Sequence, residues 1–207
     1  MAGNYEKIRA LYSRLRKMYG HPEGQWALWC RRPKTDEMRE QVIIEAILTQ
    51  RANWRNVEQA VRNLSSAGLL GLKGIATADR QMLEKLILPS GFYRQKSCRL
   101  KEIARFFLNE CGGLHQAMKI PTHLLREQLL SLDGIGPETA DDILLYALDR
   151  PVFVVDEYTR RISVAEQISS VTSYNTLQEL FSSAIRKDFR TYQDFHALIV
   201  INGKAGR

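Results

Sequence analysis

Apolar residues recur at three- and four-residue spacing along almost the whole chain, and that period leaves room for little besides helices. Tyr5, Ile8, Leu11, Tyr12 and Leu15 form one face of an opening helix, which His21-Pro22-Glu23-Gly24 breaks. Val42, Ile43, Ala46 and Ile47 mark another. Ile44 and Leu48 lie off that face, so this helix is expected to be buried on most sides. Trp54, Val57, Val61 and Leu64 continue at helical spacing until Ser65, Ser66 and Gly68. Leu83, Leu86 and Ile87 predict a short helix stopped by Pro89-Ser90-Gly91. Leu100, Ile103, Ala104 and Phe107 predict one that ends at Gly112-Gly113. Only Val152 to Val155 reads as a strand, and it is too short to pair usefully. The expectation is an all-α protein of roughly ten helices.

Composition narrows the class. With 44% hydrophobic and 26% charged residues in 207, the chain is neither disordered nor fibrous, and it fits one compact domain or two lobes folded as one. Thirty Lys and Arg against 23 Asp and Glu leave +7, which favours an anionic partner, nucleic acid first. Cys30, Cys98 and Cys111 are odd in number and far apart. They offer no C-x-x-C ligand pair for zinc or an iron–sulfur cluster and no disulfide framework. The segment from Met1 to Lys17 lacks a signal-peptide core. The longest aliphatic run, Val42 to Leu48, carries Glu45 and falls short of the about 20 residues that span a bilayer. A cytoplasmic, nucleoid-associated protein without a membrane contact is expected.

The stretch from Thr122 to Leu148 is the most informative. Thr122 follows Pro121 and suits a helix N-cap. Leu124, Leu125, Leu129 and Leu132 supply an apolar face. Leu132-Asp133-Gly134-Ile135-Gly136-Pro137-Glu138-Thr139-Ala140-Asp141 then reads as a tight turn and a second helix, with Pro137 at its first position. Ala140, Ile143, Leu144 and Ala147 continue that helix. Gly134 and Gly136 allow positive φ and close approach of another backbone. Their amides and the new helix N-terminus can then bind a phosphate without side chains, while Ile135 plugs the two helices together. An ordinary glycine-turned hairpin would share the short G-x-G; the longer L-x-G-I-G-x-x-T-A pattern is far more specific.

This stretch resembles the helix-hairpin-helix of the DNA glycosylase superfamily that includes endonuclease III. Gln50-Arg51-Ala52-Asn53-Trp54 and Pro89-Ser90-Gly91-Phe92-Tyr93-Arg94-Gln95-Lys96 resemble its two DNA-facing loops, and Val154-Val155-Asp156 its catalytic segment. The similarity runs in order from about Trp26 to Arg207. It is greatest to the cluster-free branch that acts on 3-methyladenine. The resemblance implies a two-lobed fold with a cleft between lobes: a central lobe over 31–150, and a second lobe from 1–30 plus 151–207.

It also implies roles. Asp156 would drive cleavage of an N-glycosidic bond by stabilising the positive charge that develops on the sugar and by orienting water. On its own Asp156 reads first as an N-cap after the apolar Val152-Phe153-Val154-Val155, and the two roles are compatible. Glu138 stands where bifunctional members carry the lysine that forms a Schiff base. A glutamate cannot form an imine, which points to a monofunctional enzyme that leaves an abasic site. Gln50 and Phe92 would be the inserting tips once the base is extruded; Gln50 could instead end its helix, and Phe92 could be core. Arg51, Arg94 and Lys96 would contact phosphates, as would the turn at Gly134, Ile135, Gly136 and Thr139. Trp26, Trp29 and Trp54, with Glu138, are the candidates for the base pocket, although core packing also explains Trp54. Electron-rich indoles favour a cationic alkylated purine by about 0.5–2 kcal/mol each.

The chain reaches Asn202-Gly203-Lys204-Ala205-Gly206-Arg207 where endonuclease III continues into its cluster cysteines. No iron–sulfur cluster and no required cofactor are expected. Lys204 and Arg207 could touch DNA or be solvated end charges, and His196 reads as a packing residue. By resemblance, the carbonyls of Leu130, Leu132 and Ile135 would hold Na+ or K+ beside a DNA phosphate. The expected partner is double-stranded DNA with a damaged base, bound by a monomer. Alkylated purines are the favoured substrate; uracil, mismatched or oxidised bases are the second reading, and a noncatalytic DNA-binding module the third.

Overall fold

The computed structural model describes residues 2–206, and among them there are helices and no strand. The chain opens with α1 (Ala2–Tyr19) and α2 (Trp26–Trp29). It continues through α3 (Asp36–Leu48), α4 (Trp54–Ser66), α5 (Leu72–Thr77), α6 (Arg80–Ile87), α7 (Tyr93–Arg105), α8 (Leu114–Ala117), α9 (Thr122–Leu130) and α10 (Pro137–Asp142). A π-helical turn, Ile143–Ala147, extends α10. Then come α11 (Glu157–Ala165), α12 (Tyr174–Ala184) and α13 (Phe189–Ala205). The additional helices beyond the expected ten are the short ones, α2, α5 and α8, which are too brief to show a period.

Side-chain caps set many of the starts. Thr35, Asn53, Asp79, Asp156, Ser173 and Asp188 each precede a helix and accept a hydrogen bond from the backbone N–H three residues on. Thr122 departs from expectation: it is the first residue of α9, and Pro121 occupies the cap position. Val152 to Val155 pairs with no other strand, as its shortness leads one to expect; Phe153, Val154 and Val155 are buried as a lead-in to α11.

The chain divides into two units. One comprises Pro33–Ile143. Within it α7 packs against α3, α5 and α6, and α9 against α10. Every residue from Val42 to Leu48 is buried, Glu45 among them, as apolar residues on and off one face predict. The other unit joins the N-terminal segment up to Arg32 with the chain from Leu144 onward. There α1 packs on α12 and α13. Phe153 stacks on Phe181 at 5.0 Å and meets Tyr192 and Phe195 edge-on. Burying each such ring is worth about 1.5–3 kcal/mol.

Buried polar groups fix which segments belong to this terminal unit. Asp194 on α13 is 4% exposed and pairs with Arg16, at 3.3 Å, and with Arg32. Gln193 donates to the Leu145 carbonyl at 2.7 Å and to Asp149 at 3.1 Å. Those bonds, with the Tyr146 ring, place Leu144 to Arg150 in the terminal unit, so the observed bounds are 33 and 143 where the sequence reading has 31 and 150.

Candidate active site and nucleic-acid interface

Asp156 sits at the N-cap of α11 in the terminal unit, its side chain 14% exposed. Its Oδ1 accepts the Thr159 backbone N–H at 2.7 Å and the Thr159 hydroxyl at 2.9 Å. Its Oδ2 lies 3.7 Å from His196 Nε2. Burial pushes the carboxyl pKa up, but the imidazole and the two Thr159 donors together outweigh it and hold the group below its ordinary value. The cap and the catalytic assignment therefore describe one geometry: a desolvated carboxylate kept ionised by fixed donors.

His196 joins this carboxylate to an aromatic cluster. Its Nδ1 is 2.7 Å from the Tyr146 hydroxyl, which also lies 3.2 Å from the Gln193 carbonyl. Trp26 meets His196 edge-on at 5.9 Å and packs on Tyr146 at 5.6 Å; Trp29 lies 5.0 Å from Tyr146 and edge-on to Trp26. Both tryptophans are buried, and the Trp26 indole N–H has no hydrogen-bond partner among the described residues. Asp156, Trp26 and Trp29 thus come together through His196 and Tyr146, neither of which the sequence singles out as functional. Nothing in the sequence separates His196 from a packing residue, since it stands between Phe195 and Ala197 at the start of the apolar stretch of α13.

Trp54 and Glu138 belong to the other unit. Trp54 opens α4, half-buried, and its indole N–H is enclosed without a partner among the described residues. Val57, Ala60 and Leu64 form the buried face of α4. Glu138 is exposed in the first turn of α10.

The DNA-facing candidates fall in the central unit, and the structure separates them. Phe92 projects: it is 55% exposed, precedes α7 and has φ +47°, a left-handed conformation costly to a residue with a Cβ. Arg51, also left-handed at φ +51°, and Arg94 are exposed. Gln50 does not project. Its amide donates to the Gly134 carbonyl at 3.1 Å and to the Thr139 hydroxyl at 3.0 Å, and accepts from Arg99 at 2.7 Å.

Lys96 overturns its assignment as a phosphate contact. It is 1% exposed, and its ammonium donates to the carbonyls of Leu48 and Ser90, each at 2.7 Å. Burial, then the nearby Arg99 guanidinium, pulls its pKa down to about 8. The alternating charge pattern of its loop hides this, because the helix turns Lys96 inward while leaving Arg94 outside.

The hairpin turn has one left-handed glycine. Gly134 has φ +70°, and a Cβ there would collide with the Arg99 guanidinium. Gly136 is extended, with φ −90° and ψ 176°, so only the first glycine needs positive φ. Ile135 is 5% exposed, as a plug between helices should be, and Thr139 is buried. Arg126 on α9 clamps Asp141 on α10 with bonds of 2.7 and 3.0 Å, a pairing made across the hairpin. Leu130 and Leu132 are half-buried, and the Leu132 carbonyl accepts the Ile135 N–H at 3.2 Å. No described helix is long and apolar enough to cross a membrane.

The all-helical fold and its glycine-turned hairpin place the chain among helix-hairpin-helix proteins that act on DNA. The HhH-GPD superfamily of base excision DNA repair proteins matches residues 44–187, and the chain belongs to that family and so to the DNA glycosylases of base excision repair. It is 41% identical to a Methanocaldococcus jannaschii protein assigned as a DNA repair glycosylase, over 95% of this chain and 86% of that one. It is 35% identical to endonuclease III of Thermotoga maritima, over 63% of this chain and 56% of that one. Among solved structures, the H. pylori 3-methyladenine DNA glycosylase bound to 1,N6-ethenoadenine superposes with a TM-score of 0.80 at 28% identity, covering 99% of this chain and 98% of that one.

Proposed function

We propose that this protein is a monofunctional DNA glycosylase that releases alkylated purines and leaves an abasic site. The observation that carries the reading is the pairing of an ionised, donor-held Asp156 with the Trp26–Trp29–Tyr146–His196 cluster. A fixed carboxylate stabilises the oxocarbenium character of the sugar as the base departs. Purines alkylated as in 3-methyladenine or 7-methylguanine carry positive charge on the ring while still joined to the sugar, and they take the bonding electron pair and depart neutral. They need little acid catalysis and gain from indole faces. The likeness to the 3-methyladenine enzyme of H. pylori supports that substrate class.

Glu138 supports the absence of lyase chemistry, since a carboxylate forms no imine. Phe92 is the wedge that fills the gap left by the extruded base, and Arg51 and Arg94 contact phosphates. The hairpin amides meet the backbone of the double helix. There the carbonyls of Leu130, Leu132 and Ile135 would hold Na+ or K+. Such a donor set is neutral oxygen, and the Leu132 carbonyl, which takes the Ile135 N–H, keeps a second lone pair. No other cofactor is needed, and one copy of the chain suffices.

Base release from duplexes carrying methylated purines, uracil or oxidised bases, with borohydride present during a parallel reaction, tests the reading. Free 3-methyladenine or 7-methylguanine, strand breakage only after hot alkali, and no trapped protein–DNA adduct are expected. Release of uracil or an oxidised base instead would move the substrate class, and a trapped adduct would restore lyase chemistry.

A further inference from the structure

One face of α7 carries three polar side chains at three-residue intervals, Lys96, Arg99 and Glu102, which together hold three loops. Lys96 binds the carbonyl of Leu48, at the end of α3 just before Gln50, and the carbonyl of Ser90, just before Gly91-Phe92. Arg99 binds the Gln50 side chain and packs on Gly134. Glu102 accepts the backbone N–H of Asp133, at the hairpin turn, at 3.2 Å. Ordinary α-helix geometry sets such positions on one side of the rod. A single rigid rod therefore spaces the Gln50 loop, the Phe92 loop and the hairpin turn.

We infer that Lys96 is a positioning residue for base extrusion: from inside the central unit its ammonium joins the main chain ahead of Gln50 to the main chain ahead of Phe92, and so fixes where the wedge stands. The inference rests on the proposed reading of Phe92 as the wedge. The surroundings favour it over simple core filling. A lysine is a costly choice for a site with 1% exposure, and an apolar side chain would fill the volume. What an apolar side chain cannot do is bind two carbonyls from segments about 40 residues apart in sequence, as Leu48 and Ser90 are. The Phe92 backbone is left-handed, a conformation that holds only where neighbouring contacts dictate it. The bond to Ser90, two residues before Phe92, supplies such a contact.

The test separates insertion from cleavage. Extrusion is read from the fluorescence of 2-aminopurine placed beside a tetrahydrofuran abasic-site analogue, which reports the wedge whatever base the enzyme excises. Lys96→Met is compared with Lys96→Gln, whose amide retains two N–H donors, and each is also made in a Phe92→Ala background. We expect Lys96→Met to lower the fluorescence change and single-turnover excision by about ten- to a hundredfold. Affinity for undamaged duplex should stay within about threefold, and Lys96→Gln should recover part of the loss. In the Phe92→Ala background Lys96→Met should add less than about twofold, because its effect passes through the wedge. Losses that multiply in the double variant, or a matching loss of affinity for undamaged DNA, would overturn the inference. Should Lys96→Met fail to fold, Lys96→Gln decides by the same criteria. A wild-type enzyme that shows the fluorescence change but releases no alkylpurine would sink the substrate reading and leave this one standing.

Discussion

The Nε2 atom of His196 lies 3.7 Å from Oδ2 of Asp156, while Oδ1 of the same carboxylate takes both donors of Thr159. The two oxygens therefore do different work. Oδ1 is committed to starting α11, and Oδ2 is the one left facing the imidazole and the aromatic cluster. A carboxylate held at one oxygen keeps a single orientation while its other oxygen faces the imidazole.

Asp156→Asn preserves the cap, because asparagine caps helices as well as aspartate does. It removes the negative charge. Base release should fall by at least about 10² to 10³, by analogy with removal of a single electrostatic stabiliser, with duplex affinity retained. Single-turnover release and gel-shift binding on the same preparations check this. The folded carboxyl titrates below its ordinary value, so it contributes stability at neutral pH that is lost as the pH falls below about 4. Wild type should lose stability relative to the asparagine variant across that acid range.

His196→Phe keeps an aromatic ring in the cluster but removes Nε2 from Asp156 and leaves the Tyr146 hydroxyl without its 2.7 Å partner. The expected result is a fall in kcat of about ten- to a hundredfold with little change in substrate binding, and a stability cost of about 1–3 kcal/mol. Tyr146→Phe, which breaks the same link one step further out, should reproduce a smaller version of the kinetic effect. Pre-steady-state excision with thermal denaturation distinguishes the two contributions. A variant that binds substrate poorly but turns it over normally would assign His196 to packing.

Trp54 is half-buried, with an enclosed N–H that finds no acceptor among the described residues. Its contribution should come from the face it shows to a ligand. Trp54→Ala should therefore reduce alkylpurine excision much more than binding to undamaged DNA, by about 0.5–2 kcal/mol of preference for a cationic base. Competition between methylated and unmodified oligonucleotides measures this. Equal losses on both would return Trp54 to the core.

Lys96 gives a stability signature in alkali. Its folded pKa is about 8, against 10.5 for an unburied lysine. Between those values the unfolded chain still holds a proton that the folded protein has released. By linkage this group makes the folded state more stable as the pH rises through that window. The wild type should thus gain on Lys96→Met between about pH 8 and 10.5 in urea titrations, the opposite of the usual alkaline loss. An unchanged gap would mean that the ammonium is not displaced.

Much of this fold could be read locally. Asp156, Asn53, Asp79 and Pro137 announce helix starts within a few residues, and Gly134 announces a left-handed turn. These signals work because cap and turn chemistry is short-range. The residues that escaped are those whose partners are far along the chain. Gln50 reads as a free tip until the Gly134 carbonyl, 84 residues on, is brought beside it. Lys96 reads as a surface cation until Leu48, 48 residues earlier, supplies an acceptor. His196 gains its role from Tyr146, 50 residues before it. Spacing alone cannot show which side of α7 or α13 turns inward when charged residues lie on both.

The two glycines of the hairpin turn answer to different masters. At Gly134 the backbone angle strains any side chain, and a Cβ would also have to push the Arg99 guanidinium aside. At Gly136 the chain forbids nothing: the backbone is extended, and a methyl group there would meet open space within 4 Å. A lone protein molecule would tolerate alanine at that second position. On the proposed reading of this turn as a phosphate contact, a chain that folds equally well with alanine at 136 but loses duplex affinity would report how closely the sugar-phosphate backbone approaches.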